Sequence, residues 1–205
     1  HRGPTNITTN SKKGSNRRTY YIMKQIILGI MAVVALMSGC SRPTEDIFLE
    51  AENMGNCGGW VVDQQSMIQM GSPYLMAHGM GRLVEDATTE ITLDEGGSYR
   101  MWVRTRDWTR RWGKEQSAGQ FQVVINGKAS KSTFGTEQAE WHWQDGGVVR
   151  LKSGTNKIAL HDLTGFNGRC DAIYFAADKR TIPPADGEAL AAFRKEKSGI
   201  EEVAD

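Results

Sequence analysis

The sequence lacks a long apolar run. Over residues 47–175 it also lacks any extended stretch in which apolar residues recur at the spacing of an α-helix. The longest apolar stretch, residues 26–37, has 12 residues, whereas a membrane-spanning helix needs about 20. The length of 205 residues agrees with one ordinary domain plus tails. One core, not built from helices, is therefore expected.

Catalytic signatures are also missing. The sequence contains no G-x-S-x-G, no H-E-x-x-H and no P-loop. Gly79 and Gly81 have G-x-G spacing but lack the third glycine of a dinucleotide fingerprint, and three histidines are scattered. Glu50 and Glu52 lie too close together to straddle a sugar as glycosidase carboxylates do. No catalytic residue is predicted in this chain.

Acidic residues are absent from residues 1–39, which contain six Lys and Arg. Residues 1–22 are polar, basic and patternless, precede a Met that could start a leader, and are interpreted as an upstream extension outside the native protein. From Cys40 onward 19 basic residues face 24 acidic ones, a net charge of −5. A mildly acidic protein is a poor nucleic-acid binder, so no nucleic-acid partner is expected.

Residues 23–39 are ordered like a secretory signal, with Lys24 after the Met, then an apolar stretch and small residues before Cys40. The "MSGC" end resembles a bacterial lipobox, although Met37 stands where leucine is commonest. This resemblance implies acylation of Cys40, a tether over residues 40–46, and a lipid anchor in the bacterial cell envelope, periplasmic or on the outer-membrane surface. A buried core helix is the alternative interpretation of the leader.

Short strand patterns separated by Gly, Asn, Asp and Ser turns run from residue 47 to residue 175. In "SYRMWVRT", for example, Tyr99, Met101 and Val103 share one face. About nine strands in ~130 residues predict an all-β domain over residues 47–177, a two-sheet β-sandwich or jelly roll. The predicted strands are 47–52, 66–70, 74–77, 88–93, 98–105, 120–126, 147–151, 157–161 and 171–175.

Residues 178–205 no longer show the strand pattern. They contain the pair Pro183 and Pro184, a candidate N-cap at Asp186, and then Leu190 and Phe193 at helical spacing. A linker followed by a short helix is predicted.

Glu50 and Glu52 raise a question of charge. In a strand their side chains lie on one face, where two carboxylates repel each other unless a cation or an arginine lies between them. A hard cation such as Ca²⁺ takes 6 to 8 oxygen ligands and suits the pair. The alternative is that both are solvated on an edge strand.

Five of the six tryptophans lie between residues 102 and 143. Flat aromatic rings stack on the apolar C–H faces of sugars, and guanidinium groups chelate carboxylates in two-point fashion. The loop "RTRDWTRRWGKEQ" supplies both, which favours a glycan, with an acidic one as a natural candidate. Burial of some tryptophans in the core and a solvated arginine rim are the alternatives. The candidate ligand-binding residues are Arg104, Arg106, Trp108, Arg111, Trp112, Trp141 and Trp143.

Several motifs, in order, resemble the calcium-containing β-jelly-roll carbohydrate-binding modules, which have a galactose-binding-like fold. They are "FLEAENM", "GSPYLMA", "GGSYRMWVRTRDW", "FQVVINGK", "LKSGTNKIALHD" and "CDAIYF". The resemblance implies a structural Ca²⁺ held by Glu50, Glu52 and Asp171. It also implies that polysaccharide or oligosaccharide is the partner.

The remaining cysteines can be placed through the same resemblance. If the first and last strands run antiparallel, Cys57 and Cys170 lie toward one end of the fold. An exported protein meets oxidising conditions, so a disulfide is feasible, and two small buried thiols are the alternative.

A second set of motifs resembles the N-terminal region of bacterial FAD-dependent oxidoreductase proteins that have such a sandwich ahead of the flavin domain. These are "MWVRTRDWTRRWG", "FGTEQAEWHWQDGG" and "HDLTGFNGRCDAIYF", followed by "PPADGEALAAFRKE". The resemblance implies an adjoining flavin domain as a partner, but this chain contains no FAD site. The sequence therefore predicts a non-catalytic carbohydrate-binding module of an envelope lipoprotein, with an oxidoreductase fragment and an interaction sandwich as alternatives.

Overall fold

The computed structural model describes Pro43, residues 45–113 and residues 117–198. Within these residues ten strands form two antiparallel sheets, and the predicted β-sandwich is confirmed. Sheet A consists of β1 (Ile47–Glu50), β2 (Val61–Asp63), β3 (Tyr74–Ala77), β5 (Gly97–Thr105), β8 (His142–Leu151) and β10 (Gly168–Ala176). Sheet B consists of β4 (Ala87–Leu93), β6 (Phe121–Ile125), β7 (Lys128–Ala129) and β9 (Gly154–Asp162).

Strand β10 is the centre of sheet A. The sheet order is β2-β3-β10-β5-β8, and β1 also pairs with β10, antiparallel, so that Glu50 lies opposite Ala172. Sheet B has the order β4-β9-β6-β7. Because β10 pairs with β1, β3 and β5, the last strand of the domain joins the first strand to two strands from the middle of the chain.

The core lies between the sheets and follows the alternation in the sequence. Tyr99, Met101 and Val103 of β5 are buried in it, together with Phe121 and Val123 of β6. Side chains of alternate residues point to opposite faces of a strand, which is why these positions meet.

The outer face of sheet A is covered by the C-terminal segment. Helix α2 (Gly187–Ser198) follows Asp186, as predicted, and Leu190 packs with Phe193 on an aromatic cluster that contains Trp143 and Tyr174. The linker before the helix is also attached to the sheet, because the indole of Trp102 donates to the Thr181 carbonyl at 3.1 Å.

Several local predictions differ from the structure, and β2 and β7 have no counterpart among the predicted strands. Residues 66–70 are not a strand: α1 (Met67–Met70) is a single helical turn closed by Gly71, whose positive φ of 76° suits a glycine. Glu52 lies outside β1 in a 3₁₀ turn, Ala51–Asn53. Strand β8 begins five residues earlier than predicted, because Gly146 and Gly147 form a bulge within the strand rather than a turn before it.

Neither helix in the described residues is long and apolar enough to cross a membrane. The predicted signal and the acylated Cys40 lie outside the described residues.

Candidate functional site

Three loops meet at one end of the sandwich. They are residues 78–86 after β3, residues 106–113 and 117–120 between β5 and β6, and residues 163–167 between β9 and β10. The strand register brings them together, since Gly168 pairs with Ala77 and Cys170 pairs with Thr105. The amides of Gly79 and Gly81 both donate to the Gly165 carbonyl, at 3.1 and 3.0 Å.

A buried carboxylate fixes each of two loops. Asp162 accepts hydrogen bonds from the amides of Val84 and Gly165, at 3.0 and 2.9 Å. Asp107, which is 1% exposed, accepts from the Thr109 hydroxyl at 2.7 Å and from the Ser117 hydroxyl at 2.8 Å. Charge-assisted hydrogen bonds of this kind are stronger than neutral ones, so both carboxylates hold the loops in one shape.

Aromatic side chains cluster on this loop end. The rings of Trp108 and Phe166 are stacked, 5.9 Å apart with an interplanar angle of 13°, and Trp112 meets Trp108 edge-on at 5.6 Å. The Trp108 indole donates to the Phe166 carbonyl at 3.1 Å, and the guanidinium of Arg169 lies 5.2 Å from the Trp108 ring centre. Trp108, Trp112 and Phe166 are called the tryptophan surface below.

The tryptophan surface is open to solvent at two of its three rings. Trp112 is 61% and Phe166 44% exposed, while Trp108 is half-buried beneath them. The neighbouring loop adds exposed Met80 and Leu83. Contiguous exposed apolar side chains with a polar rim mark interaction sites.

Cations border the tryptophan surface. The guanidinium of Arg111 lies 5.7 Å from the Trp112 ring centre and reaches Glu140 only at 3.9 Å, with both side chains well exposed. Arg169 donates to the Asn167 carbonyl at 3.0 Å. Of the predicted ligand residues, the structure thus brings together Trp108, Arg111 and Trp112.

Arg106 and Trp141 form a separate pair. The Arg106 guanidinium lies 5.9 Å from the Trp141 ring centre. Trp141 is 8% exposed and packs edge-on against Tyr74 at 4.8 Å, in a small apolar cluster with Met70 and Met76. These two residues therefore do not belong to the tryptophan surface.

Arg104 and Trp143 lie under the C-terminal segment, on the outer face of sheet A. The Trp143 indole donates to the Pro184 carbonyl at 2.9 Å, and Arg104 donates to the Ala185 carbonyl at 2.6 Å. Arg104 is 1% exposed and Trp143 9%. With the segment in place, a glycan cannot reach the guanidinium of Arg104, and Trp143 offers it little surface.

The first and last strands share a buried charge cluster. The carboxylates of Glu50 and Asp171 both bind Arg194 of α2, with the Asp171 Oδ2 atom 2.9 Å from Nη1. Asp171 also contacts the Arg104 Nε atom at 3.2 Å. The sequence left open whether a cation or an arginine lies between Glu50 and Glu52, and the structure instead places an arginine between Glu50 and Asp171.

Glu52 forms no such ion pair with the residues that the structure describes. Its Oε2 atom is buried and accepts no hydrogen bond from any of them. Burial raises the pKa of the Glu52 carboxyl to about 7, and the negative charges of Glu50 and Asp171 add to the effect. The third predicted metal ligand is thus held apart from the arginines.

The predicted calcium ligands fit an ion poorly in this arrangement. Among the described residues, no group of three or more His, Cys, Asp and Glu side chains is placed to hold a metal ion. Glu50 and Asp171 direct their oxygens at the Arg194 guanidinium, and the positive charges of Arg194 and Arg104 together balance theirs.

Comparisons with known proteins found the fold through structure alone. No family model and no curated protein matches the chain. A Podospora anserina GH26-CBM35 β-(1,4)-mannanase aligns with a TM-score of 0.53 and 20% identity over 69% of this chain and 29% of that one. A family 35 carbohydrate-binding module from Clostridium thermocellum aligns with a TM-score of 0.50 and 17% identity, over 64% of this chain and 98% of that one. The chain has the fold of these modules.

A further family 35 carbohydrate-binding module, from an environmental isolate, aligns over 64% of this chain and 93% of that one, with a TM-score of 0.50 and 18% identity. Together the alignments with free-standing modules span nearly the whole of each module but stop short of this chain's full length. At these identities the family 35 fold is shared, and binding residues must be argued from the geometry of this chain.

Three residues that matter to these sites were not predicted. Phe166 lies in "TGFNG", where an aromatic side chain between two turn glycines was a usable signal of exposure. Arg169 lies three positions later, as the second residue of β10. Arg194 lies in a helix that the sequence predicts only as leading out of the sandwich. No local sequence signal connects Arg194 with Glu50, which lies 144 positions earlier.

Cys57 and Cys170 are both free thiols in the structure. Cys170 is fully buried in the core, and burial raises the pKa of its thiol well above the usual value. Cys57 is half-buried and packs against the same core. The disulfide considered from the sequence is not formed here.

Proposed function

We propose that this domain is a non-catalytic carbohydrate-binding module and that the tryptophan surface is its binding site. The observation that carries the proposal is the exposed ring pair of Trp112 and Phe166, supported from below by Trp108. Because the loops beneath are fixed by buried Asp107 and Asp162, the rings are held in place before a ligand arrives.

Sugar recognition fits this chemistry. A pyranose ring has an apolar C–H face that packs on an exposed indole or phenyl ring, while its hydroxyls need polar partners at the edge. Arg111 and Arg169 lie at that edge. The shared fold with family 35 carbohydrate-binding modules is consistent with this use.

We propose further that the preferred glycan is acidic. Arg111 and Arg169 border the rings, and the ion pair of Arg111 with Glu140 is long and exposed, so its guanidinium is free to engage a uronate in two-point fashion. The neighbouring Arg82 and Arg110 are exposed as well.

The first test is affinity electrophoresis through gels that contain neutral or uronate-bearing polysaccharides, followed by calorimetric titration of the best ligand. Trp112→Ala is expected to weaken binding roughly tenfold or more, as for an aromatic anchor, with an unchanged melting temperature because the ring is exposed. Val148→Ala is the matched control, since Val148 is 59% exposed on β8.

Each outcome of that test bears on the proposal. Absence of binding to every polysaccharide by folded protein contradicts the carbohydrate assignment, and an equal loss in both variants contradicts the location. Binding to neutral glycans alone overturns the acidic preference and supports the rest. Arg111→Lys, which keeps the charge but loses the planar fork, is expected to weaken binding of uronate ligands selectively.

The location of the protein in the cell is inferred from the leader, residues 23–39, and from Cys40 alone. We propose that acylated Cys40 anchors the module in the cell envelope, where it would hold glycan close to a partner. An adjoining flavin domain stays a prediction from the motif resemblance.

A further inference from the structure

We propose that Arg194 is a built-in cation: its guanidinium fills an oxygen-lined site between the first and last strands that would otherwise take a divalent metal ion. The domain then needs no metal to close its sandwich.

The proposal rests on what surrounds the guanidinium. Arg194 donates to both carboxylate oxygens of Glu50, to Asp171 Oδ2 at 2.9 Å and Oδ1 at 3.3 Å, to the Met70 carbonyl at 3.1 Å, and to the Ser72 hydroxyl. All of these acceptors are oxygens, from two carboxylates, one carbonyl and one hydroxyl. This is the ligand chemistry that a hard cation such as Ca²⁺ prefers.

Helix α2 holds the guanidinium in that position. Leu190, one helical turn before Arg194, is 3% exposed on the aromatic face of sheet A. Lys197, three residues after it, pairs with Asp46 at 2.8 Å. Arg194 is itself 8% exposed, so the site is closed to solvent while the helix is docked.

Helix docking and metal binding are consequently exclusive. A metal ion at the centre of these oxygens would occupy the space of the guanidinium and bring a second positive charge beside Arg104, which already contacts Asp171 at 3.2 Å. Removing the Arg194 side chain leaves the carboxylates of Glu50 and Asp171 with Arg104 alone, on the Asp171 side. A divalent ion can then supply the missing positive charge: with the neighbouring Glu52 also ionised, three carboxylates, Arg104 and the ion sum to zero.

The experiment compares melting temperatures in calcium chloride, in excess chelator, and in sodium chloride of equal ionic strength. Wild-type protein is expected to melt at the same temperature in all three. Arg194→Ala is expected to melt roughly 10 °C lower in chelator, because it leaves buried carboxylates unpaired, and to recover part of that loss in calcium, which binds only the folded state. Arg180→Ala is the control, since Arg180 lies in the same segment and is highly exposed.

A wild-type melting temperature that falls on chelation overturns the proposal, and that measurement needs no folded variant. So does an Arg194→Ala protein as stable as wild type, or one that calcium does not rescue. If Arg194→Ala does not fold, Arg194→Gln decides: it keeps part of the side-chain stem but loses the positive charge, and is expected to melt lower in chelator than wild type and to rise in calcium. Absence of that rise contradicts the proposal.

Discussion

Glu52 differs from Glu50 and Asp171 in forming no ion pair with an arginine of the described residues. It lies in the 3₁₀ turn after β1, where its Oε2 atom is buried and receives no hydrogen bond from the part of the chain that the structure describes. The other two carboxylates are held by Arg194, with Arg104 beside Asp171. At the scale of single residues, the cluster therefore has two paired acids and one that is more easily protonated.

Replacing Glu52 with Gln should remove a pH dependence of stability. Burial raises the pKa of Glu52 from 4.5 to about 7, so the folded state holds this proton more tightly than the unfolded state. The contribution is present below the unfolded pKa and is lost as pH rises through the folded one. Wild-type stability should therefore fall between about pH 4.5 and 7 relative to Glu52→Gln.

Melting temperatures of both proteins from pH 4.5 to pH 8 check this. Glu95→Gln is a control, since Glu95 is exposed. Parallel profiles for wild type and Glu52→Gln would show that the Glu52 carboxyl does not hold the proton.

Among the secondary-structure elements, helix α2 is the one whose role the structure changes most. It was predicted as a helix leading out of the sandwich, and it packs instead on the outer face of sheet A. Phe193 meets Tyr174 edge-on at 5.0 Å and Phe48 at 5.8 Å. Leu190 lies in the same cluster, so α2 is part of the domain rather than an extension of it.

Leu190→Ala should destabilise the whole domain. Truncation of a buried leucine leaves a cavity and costs about 2 to 5 kcal/mol, and Leu190 is 3% exposed. Ile182→Ala, in the same segment but 76% exposed, should change the free energy of unfolding by less than about 0.5 kcal/mol. Urea denaturation followed by tryptophan fluorescence measures both, and equal midpoints would mean that α2 is not docked.

For the molecule as a whole, the fold describes how the domain is built, and the leader predicts where the protein is anchored. Strand β10 connects β1, β3 and β5, and the C-terminal segment adds a layer over sheet A. The leader adds the expectation that Cys40 is the single acylated residue, since Cys57 and Cys170 pack in the core.

Fatty-acid labelling in a bacterial host tests that expectation. The wild-type protein should take up a labelled acyl chain and fractionate with membranes, whereas Cys40→Ser should do neither. Cys57→Ser is the matched control and should keep the label. A labelled Cys40→Ser protein would contradict the lipobox assignment.

Much of the fold could be predicted because strand alternation is a local signal. Tyr74–Ala77 was predicted with its observed bounds, and β5 and β9 were found with shorter ends. The prediction was wrong at residues 66–70, where a single turn of helix closed by Gly71 has no period to read. It was incomplete at β8, because a glycine pair within a strand has the same sequence signal as a turn.

Part of the tryptophan surface could be predicted, again because residues of one loop are neighbours in the sequence. Trp108, Arg111 and Trp112 belong to one loop and were recognised together, whereas Phe166 comes from a loop that only the pairing of β10 brings beside them. Trp143 is of a residue type that suits sugar binding, but α2 covers it. Exposure depends on which segment packs on a side chain, and residue type does not determine it.

By itself the sequence determined the two-sheet class, the core face of each long strand, the C-terminal helix and the aromatic loop, because each follows from the spacing of neighbouring residues. It also placed Glu50 and Asp171 in one cluster through resemblance. Only the tertiary structure decided which cation lies between them. Arg194 reaches the carboxylates because helix α2 folds back onto sheet A, and a contact across 144 positions depends on how whole elements pack.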